Sequence, residues 1–187
     1  MVFSLVSRLV NGVKEGVTAG LKGVADVGST TVNVVKDVTV TTLKGAGEFV
    51  AGGIDVAASI VKGSITGIAE IGGSVISAVK GVVSGTVQGI MESGGNQNEA
   101  VGGAVAQAVQ SAKELGENVG ETAVEAVKGA VDGITQVGGD TVSATKTAVQ
   151  AALDAASEIG QEAVTSVTEA LGAGVDGAKD IIDAVKK

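Results

Sequence analysis

The sequence predicts an all-α protein of long amphipathic helices on an eleven-residue (hendecad) repeat, arranged as a helical hairpin or as extended helices rather than as a compact globule. Three observations predict it. Segments recur at multiples of eleven: GVADVGSTTVNVVKDV from Gly23 and GIAEIGGSVISAVKGV from Gly67 lie 44 residues apart, and VKGSITGIAEIGG from Val61 and VKGAVDGITQVGG from Val127 lie 66 apart. Aliphatic residues keep one phase of that repeat from end to end. Acidic residues keep the opposite phase.

The stripe begins at Val10 and steps by eleven through Leu21, Val32, Leu43, Ile54, Ile65, Ile76, Val87, Asn98, Val109, Gly120, Val131, Val142, Leu153, Val164 and Val175. Only Asn98 and Gly120 depart from aliphatic character. Three residues further on stand Val13, Val24, Val35, Ile68, Val79, Ile90 and Ile134, and six further on Phe49, Ile60 and Ile71. Eleven residues in three turns advance by roughly 98° per residue, so these series share one side of a nearly straight helix. Five residues after the stripe positions, eleven of sixteen residues are acidic, beginning with Glu15, Asp26, Asp37 and Glu48. Lys14, Lys36, Lys80, Lys113, Lys146 and Lys179 sit one residue earlier, at the apolar edge. There a long stem lies along an apolar surface while its ammonium reaches water.

The chain divides into three segments. Residues 1–93 form a Val-, Ile- and Gly-rich repeat segment with seven basic and seven acidic groups. ESGGNQNEA, residues 92–100, brings glycines and asparagines together, and predicts a turn or break at 94–98. Residues 99–187 form an acidic repeat segment, and the half from 94 onward carries the whole net charge of −8. Within the first segment TTVNVVKDVTVTT, residues 30–42, leans towards strand by its Val and Thr content, but the sustained period outweighs that preference.

Composition removes whole chemistries. The chain has no His, Cys, Trp, Tyr or Pro, and only two aromatic residues, Phe3 and Phe49. Imidazole bases, thiol nucleophiles, zinc fingers and disulfides are therefore excluded. No acid pair or nucleophile–base pair stands apart from the repeat, so no enzyme activity, cofactor, metal or small-molecule substrate is expected. An excess of acids and a near absence of rings disfavour nucleic acid. Arg8 and Lys14 interrupt the opening apolar run, which does not read as a secretory signal. No uncharged apolar stretch reaches the length of a membrane span.

Thirty glycines oppose an isolated helix, each by about 1 kcal/mol relative to Ala in a helix interior. The apolar face therefore needs a partner. Glycines two residues after the stripe, at Gly12, Gly23, Gly45, Gly67 and Gly89, would let two backbones approach closely or would simply loosen the helix.

VKEGVTAGLKGVADVG, Val13–Gly28, resembles the hendecads of the synuclein family, with KEGV at Lys14–Val17 as the full match to their core. VKGAVDGITQVGGDTVSATKTAVQ, Val127–Gln150, resembles the Thr-, Val- and Gly-rich repeats of perilipins. Both resemblances imply a peripheral protein whose repeats become helical on membranes or lipid droplets. This chain departs from synucleins in having few basic residues, which favours a neutral or poorly packed lipid surface. The expected function is non-enzymatic lipid-surface binding through the stripe, in the cytoplasm and peripheral on membranes or droplets. The alternative is a self-assembling structural bundle or filament, with other copies of the chain as the partner. A desiccation or freezing protectant is a weaker third reading.

Overall fold

A four-residue punctuation cuts the hendecad into helices. A computed structural model of the chain describes residues 2–23, 27–46 and 54–187, and the secondary structure among the described residues is entirely helical. The elements are α1 (Val2–Leu21), α2 (Val27–Ala46), α3 (Ile54–Glu70), α4 (Val75–Glu92), α5 (Gln97–Leu115), α6 (Val119–Gln136), α7 (Thr141–Ile159), α8 (Gln161–Gly174) and α9 (Ala178–Val185). The strand-leaning residues 30–42 lie inside α2.

The turns after α3 to α6 are built alike. Each places a glycine in the left-handed region, Gly72 at φ 76°, Gly94 at 86°, Gly116 at 74° and Gly138 at 72°. The next amide reaches back over the helix end: Gly73 donates to Ile68 O at 2.9 Å, Gly95 to Ile90 O at 2.9 Å, Glu117 to Ala112 O at 2.8 Å and Gly139 to Ile134 O at 2.9 Å. This is the hydrogen bond that closes a Schellman motif. The following residue caps the next helix. Asn96 Oδ1 accepts from the amides of Asn98 and Glu99, Asn118 Oδ1 from Glu121, and Asp140 Oδ1 from Val142 and Ser143, with Ser74 Oγ accepting from Ser77 at the longer distance of 3.4 Å. Gly-Gly-Ser, Gly-Gly-Asn, Gly-Glu-Asn and Gly-Gly-Asp thus recur every 22 residues, which is every second hendecad.

Consecutive helices run antiparallel, and each helix packs most heavily against a helix two places away along the chain, before or after it. Helices α1, α3, α5 and α7 make one layer and α2, α4, α6 and α8 the other, with α9 folded over α7 and α8. Helix starts from α4 to α7 are spaced by 22 residues, whereas α2 and α3 start 27 apart. The first helix pair is therefore joined to the rest by a longer connection.

This architecture corrects the expectation of a hairpin or of extended helices. Among the described residues no helix exceeds 20 residues, and the helices form a packed two-layer stack. A straight hendecad helix leaves its apolar stripe in water. Folding back after two hendecads covers the stripe with the chain's own neighbouring helices, and burial of apolar area is the dominant favourable term in folding. The turn expected at 94–98 falls at 93–96, and Gln97 already opens α5.

The core is aliphatic, with Leu21, Ile60, Ile65, Ile68, Ile134 and Leu171 among its largest fully buried side chains. Small residues set how closely the layers knit. A Cβ added to Gly63 would lie 2.6 Å from Val10 O, one on Gly67 3.0 Å from Lys14 O, and one on Gly85 2.5 Å from Val32 O. Gly89 meets Thr39 and Lys36 O, Gly129 meets Lys80 O, and Gly133 meets Ser84 O. Glycine pairs four residues apart thus let α3, α4 and α6 lie backbone against backbone on the preceding helix of the same layer.

Candidate functional surface

The lysines at the edge of the stripe become the rungs of a ladder between same-layer helices. Lys14 of α1 pairs with Glu70 of α3 at 3.1 Å, Lys36 of α2 with Glu92 of α4 at 3.7 Å, and Lys80 of α4 with Asp132 of α6 at 2.8 Å. Lys62 of α3, which the stripe pattern did not single out, pairs with Glu114 of α5 at 3.2 Å. Each rung joins a lysine to an acid two helices later. The Lys80 ammonium is held above its ordinary pKa of 10.5, first by its hydrogen bond to Asp132, with partial burial opposing and the Asp132 and Glu125 charges adding. Lys113, Lys146 and Lys179 are exposed and make no ion pair among the described residues.

The apolar stripe has mostly gone inside. Val13, Leu21, Val35, Leu43, Ile60, Ile65, Ile68, Val79, Val87, Ile90, Val109 and Ile134 are buried. Val10, Val32, Ile76, Val131, Leu153, Val164 and Val175 are half-buried, and Ile71 and Val142 are exposed. Val24 and Phe49 lie outside the described residues, and Ile54 opens α3. The stripe therefore points at neighbouring helices, and the exposed large apolar residues, Val6, Ile71, Leu115, Val142 and Val185, come from different elements. Val142 stands out at 79 % exposure.

Polar side chains fix the register where the glycine pairs lapse. Asn98, one of the two departures from the stripe, accepts on Oδ1 from Ser143 Oγ at 3.3 Å and Thr147 Oγ1 at 3.4 Å of α7. Gln97 clamps the backbone of Asp140, donating to its carbonyl at 2.8 Å and accepting from its amide at 3.1 Å. Gln110 donates to Glu158 at 2.6 Å. The other departure, Gly120, allows close contact, since a Cβ there would lie 2.6 Å from Ser166 Oγ and 2.9 Å from Ser166 O. Both positions that break the aliphatic pattern serve packing between helices of one layer.

A depression of about 520 Å³ between the α5–α6 and α7–α8 turns is lined by Lys113, Asn118, Ile159, Gln161, Glu162 and Ser166 among others, without a convergent acid–base or nucleophilic pair. Among the described residues no group of three acids is placed to hold a metal ion, and no helix is long and apolar enough to cross a membrane.

Two elements escaped the reading by hendecads. The cap residues Ser74, Asn96, Asn118 and Asp140 follow a glycine by two residues and repeat every 22, so a search at twice the hendecad would have found the turns. Lys62 stands in a register the other edge lysines do not use, whereas its partner Glu114 belongs to the acidic series five residues after the stripe.

No family model matches the chain, and no curated protein matches it. Among solved structures it is similar to the crystal structure of the de novo designed helical repeat protein DHR7, with a TM-score of 0.55 and 18 % sequence identity over 96 % of each chain. That likeness concerns the fold: a stack of helical repeats.

Proposed function

We propose that the chain is a non-enzymatic structural scaffold, a stack of helix pairs that presents a charged and polar exterior for its interactions. The observation that supports this reading best is the fate of the stripe. Twelve of its residues are buried between the chain's own helices, and among the described residues the exposed large apolar side chains are Val6, Ile71, Leu115, Val142 and Val185, from different elements. A helix that lies in a lipid interface needs such a face on its outside. Helical-repeat stacks instead bury their apolar faces on their neighbours and work through extended outer surfaces.

Lipid-surface binding is the second reading, and the constant phase of the stripe favours it. Opening the turns would set Val10, Leu21, Val32 and their successors along one side of a long helix, with edge lysines beside them. In that reading the stack is a stored form that a neutral, loosely packed surface unrolls, which would place the protein peripherally on membranes or droplets.

Far-ultraviolet circular dichroism of the dilute chain, alone and with neutral vesicles or a triglyceride emulsion, separates the two. The scaffold reading expects full helix and a cooperative melt without lipid, unchanged on adding it. Coil in buffer that turns to helix on lipid would overturn the scaffold reading and favour the surface-bound helix.

A further inference from the structure

The two ends of the stack are not alike. Within each layer, residues at alternate stripe positions face the next helix. Val10 O lies against the Gly63 position of α3, and Val32 O against the Gly85 position of α4. Asn98 of α5 accepts hydrogen bonds from α7, and Gly120 of α6 abuts Ser166 of α8. Val142 of α7 is the next residue in this series. Asn98, itself exposed, is bonded by α7 and Gly120 is abutted by α8, whereas Val142 is 79 % exposed. The α9 helix reaches α7 and α8 through a short apolar contact in which Ala178 and Ile182 are buried, and it leaves Val142 in water.

The opposite end is the converse. Gly67 and Gly89 receive the preceding helix of their layer. Gly12 and Gly45 hold the same hendecad position on α1 and α2, and a Cβ added to either would meet nothing within 4 Å among the described residues. Charge differs in the same sense. Residues 1–46 carry five basic and three acidic groups, whereas residues 141–187 carry four basic and seven acidic ones. Arg8, Lys22 and Lys44 are exposed on the first helix pair beside exposed Glu15 and Asp37, and Asp154, Glu162 and Glu169 are exposed on α7 and α8 beside exposed Lys146.

On the scaffold reading, we infer that a second copy of this chain docks its α1–α2 edge on the α7–α8 edge of the first, continuing the two layers from one molecule into the next. The partner is fixed by three features together: an unpartnered stripe residue, an unpartnered edge of matching hendecad register, and opposite charge balance. The contact is heterologous, with different surfaces meeting, so it propagates into a filament instead of closing as a symmetric dimer. Rim charges of opposite sign would speed encounter and make the association weaken with salt.

Sedimentation and light scattering of the full chain over a concentration series at low salt test this. The expected result is a mean mass that rises continuously past about two-fold that of one chain, and falls when salt is added. Val142 is 79 % exposed and a Cβ on Gly12 would meet nothing within 4 Å, so Val142→Lys and Gly12→Lys are each expected to stay folded and helical. Each variant alone is expected to remain at the mass of one chain, while an equal mixture forms a dimer and stops there, because it holds one intact edge of each kind. A wild-type chain that stays at one-chain mass throughout, or a dimer that Val142→Lys leaves intact, overturns the inference. Both outcomes are distinguishable from failure of the scaffold reading, which would appear as loss of helix in buffer.

Discussion

Replacing Gly85 and Gly12 by alanine makes the same chemical change with opposite expected signs. Both glycines lie inside helices, where alanine is favoured by about 1 kcal/mol. At Gly12 nothing lies within 4 Å of the new Cβ. Gly12→Ala is therefore expected to stabilise the chain by about that amount. At Gly85 the new Cβ would meet Val32 O at 2.5 Å, the Lys36 amide nitrogen at 3.0 Å and Val35 Cβ at 3.0 Å. Two of these atoms are backbone and cannot swing aside. Recovering an ordinary contact requires α2 and α4 to part by roughly 0.5–1 Å, and a gap of that size forfeits a quarter to a half of the dispersion attraction of the facing atoms. Overpacking of this kind costs about 1–3 kcal/mol, which exceeds the gain in propensity. Gly85→Ala is expected to destabilise by up to about 2 kcal/mol. Denaturant unfolding followed by circular dichroism reads both variants, at concentrations low enough to exclude self-association. Equal stabilisation by the two alanines would refute the claim that the glycine pairs exist to admit the neighbouring backbone.

The same geometry sets three more expectations. Asp140→Ala removes the acceptor for the amides of Val142 and Ser143 and is expected to cost about 1 kcal/mol, read as a lower unfolding midpoint; Asp140→Ser, which keeps an acceptor, should recover most of it. Ile134→Ala empties a fully buried site beside the turn glycine Gly139 and is expected to cost about 2–5 kcal/mol in the same assay, whereas Val142→Thr, on an exposed position, should change stability by less than about 0.5 kcal/mol. Lys80 is paired with Asp132 and holds its proton above pH 10.5, so the stability this gives is fully present below 10.5 and is lost as pH rises through the higher folded value. The difference between wild type and Lys80→Met, small for so exposed a pair, should therefore be constant through neutral pH and shrink in strong alkali; growth of the difference above pH 10.5 would contradict the assignment.

The helical state and the inward face were legible because both depend on angle alone. A hendecad places residues such as Ile65, Ile68 and Ile134 on one side of a helix whatever that helix packs against, and all three are buried. What angle cannot supply is where the chain reverses. The turn at Gly94 showed itself because glycine, asparagine and a break in the stripe coincide there, while the same turn at Gly72, Gly116 and Gly138 hides among glycines that also occur within helices. Summing a helix penalty over every glycine likewise treats as a cost what the turns require, since left-handed backbone is the conformation glycine adopts at least expense. Asn98 illustrates the remaining difficulty. Taken along one helix it is a fault in an aliphatic row, and only the arrival of Ser143 and Thr147 on a helix some 45 residues later turns it into an acceptor between helices. Neighbours of that kind depend on the length of each helix, which the 22-residue recurrence of cap and glycine sets and the eleven-residue period does not. The same reasoning separates Gly12 from Gly67, identical in hendecad position and opposite in environment. A Cβ on Gly67 would meet Lys14 O of the preceding helix at 3.0 Å, whereas one on Gly12 would meet nothing within 4 Å.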